Sequence, residues 1–183
     1  GIRTAVIINV VALPSLTISS NPISICLGNS ATMSASGANS YTWQNSIPGA
    51  SINVTPSLTT VYSLSGSDTI SNCSNTKTYT LNVNALPILQ IITAQPTVCA
   101  GSKVILNVSG ANSYTWSNAS NNSSISVTPT INASYSVSGT NSLTGCSNNQ
   151  SIALTVNPCV GLNEEKEIFK IKVFPNPVID FLT

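Results

Sequence analysis

The sequence predicts an all-β protein built from tandem β-sandwich repeats, and three observations support this prediction. The first is an internal repeat: the stretch GANSYTW at residues 37–43 returns unchanged at residues 110–116, 73 positions later. The second is that apolar residues in each copy fall at every other position, as in strands with one buried face. The third is that clusters of Gly, Asn, Ser and Pro separate these short runs, which favours a sandwich of short strands.

Six or seven short strands are expected in each copy, because the alternating apolar positions match pairwise across the repeat. The substitutions keep the apolar face while the side chain changes, as where Met33 corresponds to Leu106. In chain order the matched sets are Leu16 and Ile18 with Leu89 and Ile91; Ala31, Met33 and Ala35 with Val104, Leu106 and Val108; Tyr41 and Trp43 with Tyr114 and Trp116; Ile52 and Val54 with Ile125 and Val127; Tyr62 and Leu64 with Tyr135 and Val137; and Tyr79, Leu81 and Val83 with Ile152, Leu154 and Val156.

The repeat also predicts the domain organisation. Residues 13–86 and 87–158 are the two repeat units, and residues 1–12 match the end of the first unit, so we expect them to be the last strand of a preceding repeat. A Leu-Pro pair marks each junction, and proline favours a short, extended connection. Charged residues become frequent only after the second unit, so residues 159–167 are a predicted linker and residues 168–183 the predicted, truncated start of a further small β-domain.

The composition argues against several classes of function. Charged residues make up 6% of the chain and the net charge is +1, so there is no basic surface for nucleic acid. No apolar run reaches the roughly 18 residues of a membrane span, so no transmembrane segment is expected. Disorder is a poor explanation, because 42% of residues are hydrophobic and they alternate in register with the repeat.

The cysteines predict disulfides. Cys26 and Cys73 recur as Cys99 and Cys146, and we expect one bond inside each unit, Cys26 to Cys73 and Cys99 to Cys146. Zinc is the alternative, but two cysteines per unit without histidine provide too few ligands. Disulfides predict an oxidising compartment. The fifth cysteine, Cys159, is interpreted either as an unpaired linker thiol or as a cross-link to something outside this chain.

The inventory of titratable groups predicts that the repeats are not enzymes. Residues 13–158 contain one carboxylate, Asp68, and the whole chain has no histidine. General acid and base catalysis needs paired titratable groups, and calcium needs several carboxylates around one ion. The second unit has Asn141 in place of Asp68. We therefore expect no catalytic residue, no metal and no cofactor.

The repeated aromatic pair has two interpretations. Tyr41 and Trp43 are candidates for a platform that stacks against sugar rings, or for part of the core. We favour the core, because a Trp in the third strand between alternating polar residues is the packing anchor of many sandwiches.

Several short motifs resemble a known kind of repeat. They are an early Cys-x-Gly at residues 26–28 and 99–101, the stretch GANSYTW, a Val-Thr-Pro before a Thr-rich strand, and a late Cys-Ser-Asn. Together they resemble the immunoglobulin-like or PKD-like repeats of large surface and secreted proteins of Bacteroidetes. The resemblance implies an immunoglobulin-like fold for residues 1 to about 158.

The tail resembles the opening of the C-terminal sorting domain of type nine secretion cargo, in which Tyr-Pro-Asn-Pro precedes Asp-x-Leu. Phe174 replaces the usual Tyr, and the later Gly-rich and Lys-rich parts are missing. The motif residues are Phe174, Pro175, Asn176, Pro177, Asp180 and Leu182. The resemblance implies export through the periplasm to the cell surface or medium, with the type nine translocon, its shuttle barrel and a sortase-like peptidase as partners. Thr69, in Asp-Thr-Ile, resembles an O-glycosylation site of the same phylum.

Three functions are compatible with this sequence. The first is a structural or adhesive stalk region of a large surface or secreted protein. The second is an array that binds surface polysaccharide, which exposed aromatic residues beyond Tyr41 and Trp43 would favour. The third is the non-catalytic rear part of a secreted hydrolase.

Overall fold

The computed structural model describes residues 10–159, which form β-strands, turns and loops with one short 3-10 turn at Gln44–Ser46. The all-β prediction is confirmed. No helix within this range is long and apolar enough to cross a membrane. The strands of the first unit are β1 (Thr17–Asn21), β2 (Ser24–Cys26), β3 (Ala31–Ser36), β4 (Ser40–Trp43), β5 (Ile47–Pro48), β6 (Ser51–Val54), β7 (Thr60–Ser67) and β8 (Ser74–Asn84). Those of the second are β9 (Gln90–Ile92), β10 (Thr97–Cys99), β11 (Val104–Ser109), β12 (Ser113–Trp116), β13 (Ser124–Val127), β14 (Ala133–Thr140) and β15 (Ser147–Asn157).

Each unit is a sandwich of two sheets. In the first unit β1-β3-β6 form one sheet and β2-β8-β7-β4-β5 the other; in the second unit the sheets are β9-β11-β13 and β10-β15-β14-β12. The first strand of each unit is divided, so that β1 pairs with β3 whereas β2 crosses to the other sheet and pairs with β8 in parallel. The remaining pairs of the first unit are antiparallel, and this arrangement is that of an immunoglobulin-like sandwich.

The strands follow the 73-residue repeat closely. Every strand of the second unit has a counterpart in the first, and only β5 lacks one. The expected number of strands holds for the second unit, which has seven, but the first has eight. The extra strand arises because Ile47–Pro48 pairs with the end of β4. The corresponding stretch of the second unit forms a turn instead, closed by a hydrogen bond from the backbone N–H of Trp116 to the carbonyl oxygen of Ser120.

The cores are formed by predicted alternating residues together with Ile25 and Val98, which the matched sets did not include. Along β11 the side chains alternate between buried and exposed at every position, which is the pattern of a strand with one face against a partner sheet. Met33, Leu81 and Leu106 are fully buried, and burying a side chain of this size contributes about 1.5–3 kcal/mol. The first core contains Leu16, Ile25, Ala31, Met33, Trp43, Tyr62, Leu64 and Leu81. The second contains Val98, Val104, Leu106, Val108, Trp116, Ile125, Val127, Val137 and Leu154.

Each unit has two distinct ends. The long strand β8 begins at Ser74 and ends at Asn84, and β15 repeats this course from Ser147 to Asn157. We call the end where this strand begins the leading end, and the end where it finishes the trailing end. The loop before the long strand, residues 68–73 or 141–146, therefore lies at the leading end of its unit.

Candidate functional site: the junction between the units

The trailing end of the first unit is built by β2 and the end of β8. In the parallel pairing of these strands, Cys26 lies opposite Asn84. The chain then continues through Leu27, whose N–H donates a 2.9 Å hydrogen bond to the carbonyl oxygen of Asn84. This register places the sulfur of Cys26 at the point where the chain leaves the first unit.

The leading end of the second unit holds the arriving chain with side-chain amides. Asn148 Nδ2 donates a 3.0 Å hydrogen bond to the carbonyl oxygen of Pro87. Asn112 Oδ1 accepts one from the backbone N–H of Ser142, which fixes the 141–146 loop. A cleft at this point is lined by Ala85, Leu86, Pro87, Gly110, Ala111, Asn112 and Asn141, none of which titrates near neutral pH.

A disulfide between Cys26 and Cys146 joins the two units across this junction. Its Cα atoms are 5.6 Å apart, within the usual range, and Cys146 is fully buried. The bond connects the trailing end of one unit to the leading end of the next, so it is a clamp between units.

The predicted pairing inside each unit is therefore wrong for both pairs. Cys73 directly precedes β8, whereas Cys26 lies beside its last residue. The ten residue steps of that strand span about 33 Å, whereas bonded cysteines need Cα atoms within about 7 Å. The same geometry separates Cys99, opposite Asn157, from Cys146.

Cys159 is bonded as well, and neither interpretation of it was right. It forms a disulfide with Cys99, with Cα atoms 5.1 Å apart. Cys99 lies at the trailing end of the second unit, as Cys26 does in the first. Within residues 10–159, Cys73 is the one free cysteine.

The aromatic pair belongs to the core, as predicted. Trp43 and Trp116 are buried, and each indole N–H donates a 2.9 Å hydrogen bond to a backbone carbonyl, of Gly49 and Asn122 respectively. The Tyr41 hydroxyl bonds the backbone of Ala38 instead of facing a ligand. Burial raises the pKa of the Tyr62 hydroxyl.

Asp68 is occupied by its own turn. Its Oδ1 accepts hydrogen bonds from the backbone N–H groups of Ser71 and Ile70, and these hold the pKa of the carboxyl below its usual range. Thr69 is exposed, and its role as an O-glycosylation site stays a prediction. Residues 10–159 contain no group of three or more His, Cys, Asp or Glu side chains arranged to hold a metal.

The predicted sorting motif lies outside the described residues. Phe174, Pro175, Asn176, Pro177, Asp180 and Leu182 all belong to it.

Comparisons with known proteins find similarity in structure alone. No protein-family model and no curated protein matches this chain. Among solved structures, the three N-terminal domains of the bacteriophage RB49 Highly Immunogenic Outer Capsid protein are 17% identical with a TM-score of 0.42, and the match covers 78% of this chain and 59% of that one. Murine CEACAM1b is 13% identical with a TM-score of 0.38, covering 78% and 100%. The fibronectin(III)-like modules of Clostridium thermocellum CbhA are 11% identical with a TM-score of 0.36, covering 80% and 96%.

Proposed function

We propose that this chain is a non-catalytic stalk region, structural or adhesive, of a cell-surface or secreted protein, in which disulfides clamp successive sandwiches. The observation that carries the proposal is the Cys26–Cys146 bond across the junction. Such a bond is a second covalent connection between the two units, in addition to the linker. It therefore limits how far one unit can bend relative to the next.

The linker supports the same function. Only residues 85–89 separate the end of β8 from the start of β9. Pro87 restricts its own backbone and that of Leu86, and Asn148 holds its carbonyl oxygen against the second unit. A short connection fixed in this way suits a spacer more than a flexible tether.

The chemistry of the described residues also supports a role without catalysis. Asp68 is the one carboxylate between residues 10 and 159, and it is engaged with its own turn. Every aromatic side chain in that range is buried or half-buried, so the exposed platform that would favour polysaccharide binding is not found there. A stalk of this kind would also serve as the rear part of a secreted hydrolase, which remains the other form of the proposal.

The proposed location is outside the cell or on the extracellular side of the outer membrane. The two disulfides support an oxidising compartment. The type nine route, with its translocon, shuttle barrel and sortase-like peptidase, rests on the motif from Phe174 to Leu182.

The stalk function is tested by the spread of distances between the units. Thr76 in the first unit and Asn149 in the second are exposed, and each would be replaced by an unnatural ketone-bearing residue that carries a spin label. Pulsed electron resonance would then measure the distance between the two labels. We expect a narrow distribution for the native chain and a broad one for the Cys26→Ser/Cys146→Ala variant. Equal widths would show that the disulfide does not set the geometry and would remove the main support for a stalk.

The export route is tested by deletion. In a bacterium with a type nine system, the natural protein that carries this chain should keep both disulfides but accumulate in the periplasm when it is cut before Glu164, whereas the uncut protein reaches the surface or medium. Export of the shortened chain would contradict the sorting role of the tail.

A further inference from the structure

Cys73 occupies the same position in the first unit as the clamped Cys146 does in the second. The loops that hold the two cysteines share several hydrogen bonds. Cys73 N–H contacts Ser71 Oγ at 3.3 Å, and Cys146 N–H contacts Thr144 Oγ1 at 3.3 Å. The carbonyl oxygen of each cysteine accepts a 2.9 Å bond from the first residue of its loop, Asp68 or Asn141.

The arriving chain is also held in the same way at both leading ends. Asn75 Nδ2 donates a 2.9 Å bond to the carbonyl oxygen of Pro14, as Asn148 does to that of Pro87. Asn39 Oδ1 accepts a bond from Thr69 N–H, as Asn112 does from Ser142 N–H. The leading end of the first unit is therefore shaped like the one that receives Cys26.

The sequence ahead of Pro14 indicates what this end receives. Residues 8–14 read INVVALP, and residues 81–87 read LNVNALP. In the first unit the latter stretch contains the end of β8, which lies beside Cys26. A segment of the same kind thus leads to both leading ends, and in one of them it belongs to the unit that supplies the clamping sulfur.

We propose that Cys73 is the receiving half of a second inter-unit disulfide, whose other half is the cysteine equivalent to Cys26 in a further copy of this same unit joined ahead of Pro14. The inference deepens the stalk function and rests on it. Two thiols become a disulfide by losing two protons and two electrons. A disulfide-bearing oxidant, such as a thiol oxidoreductase or oxidised glutathione, accepts them by exchange and is released as two thiols.

The test uses the full chain with residues 1–13 replaced by a second copy of residues 14–86. In the added copy Cys73→Ser removes the competing thiol. After oxidation with a glutathione redox pair, mapping of disulfide-linked peptides should find the added copy's Cys26 bonded to Cys73 of the original unit. Cys26–Cys146 and Cys99–Cys159 of the original chain should be retained.

The matched control changes the added copy's Cys26→Ser, and Cys73 should then react fully with an alkylating reagent. A second arm replaces residues 1–13 with a copy of residues 87–157 followed by Ala85-Leu86. This copy carries Cys146→Ala, so that its Cys99 is the cysteine that can bond Cys73. This arm guards against misfolding of the first added copy.

The proposal is overturned if Cys73 in both arms stays free, carries glutathione or bonds a second chain. The result is separable from the stiffness of the stalk, because mapping reports which sulfurs are joined whatever the width of the distance distribution.

Discussion

The two leading ends of this protein have equivalent loops that share most of their hydrogen bonds, yet Cys146 is bonded and Cys73 is free. The difference lies in what stands ahead of each loop. Ahead of the second unit is a trailing end that carries Cys26; ahead of the first, the described residues contain no such end. The state of the cysteine is therefore a property of the junction.

The two cores, in contrast, differ in several side chains. Strand β3 carries Ala31 and Ala35 where β11 carries Val104 and Val108. The first unit has larger residues elsewhere, with Leu64 and Ile25 in place of Val137 and Val98. Sandwich cores tolerate such exchanges when the total volume is kept, so we expect similar stability for the two units.

The largest expected effect comes from removing the Trp at the centre of one core. Trp43→Ala should destabilise the first unit by about 3–5 kcal/mol, because a buried indole and its hydrogen bond to Gly49 are lost. Trp116, then the only Trp, should report an unchanged denaturant midpoint for the second unit. Trp116→Ala is the reciprocal variant. A common shift of both units would mean that the disulfide couples their unfolding.

A smaller effect is expected at the glycine against which the arriving chain packs. Gly37 has φ +98°, and a Cβ there would lie 1.9 Å from the carbonyl oxygen of Ser15. We expect Gly37→Ala to lower the free energy of unfolding by about 2–3 kcal/mol, because the strain of a positive φ at alanine and the clash with the Ser15 backbone add together. Gly28→Ala is the matched control, because Gly28 also has positive φ but no atom within 4 Å of the added Cβ, and about 1 kcal/mol is expected. Equal losses in thermal unfolding would contradict the clash.

The strands and cores could be predicted from sequence because period-two alternation reports burial directly. Trp43, Met33 and Leu106 are buried where the alternation placed them. The split of the first strand into β1 and β2 was not foreseen, because both pieces are short and the crossing between sheets leaves no change of period.

The disulfides could not be paired from sequence, because a repeat is equally consistent with bonds inside units and bonds between neighbours. Two features favoured the second arrangement. The stretch between Cys73 and the apolar residues Leu81 and Val83 is long enough to separate the two ends of a unit. If each trailing cysteine bonds the leading cysteine of the next unit, the last trailing cysteine, Cys99, has no such partner. Cys159 bonds it instead.

The smallest expected effect comes from the one acidic position that differs between the leading loops. Asp68 Oδ1 accepts backbone N–H bonds that favour the ionised carboxylate, whereas Asn141 accepts a 3.0 Å bond from Leu143 N–H without a charge. Because the pKa of Asp68 is lowered in the folded state, its contribution to stability is present above the unfolded pKa, near 4, and is lost as the pH falls below it. The first unit should therefore lose stability in acid while the second does not.

Exchanging the two side chains should move this acid sensitivity from one unit to the other. In Asp68→Asn the first unit should unfold at the same temperature at pH 3 and pH 6, apart from changes that both units share. Asn141→Asp should give the second unit the acid sensitivity that the first has lost, because the introduced carboxylate would face the N–H of Leu143. Calorimetry with both disulfides intact measures the two transitions. If Asp68→Asn left the acid sensitivity of the first unit unchanged, the turn would not be its source, since Asp68 is the one carboxylate among residues 10–159.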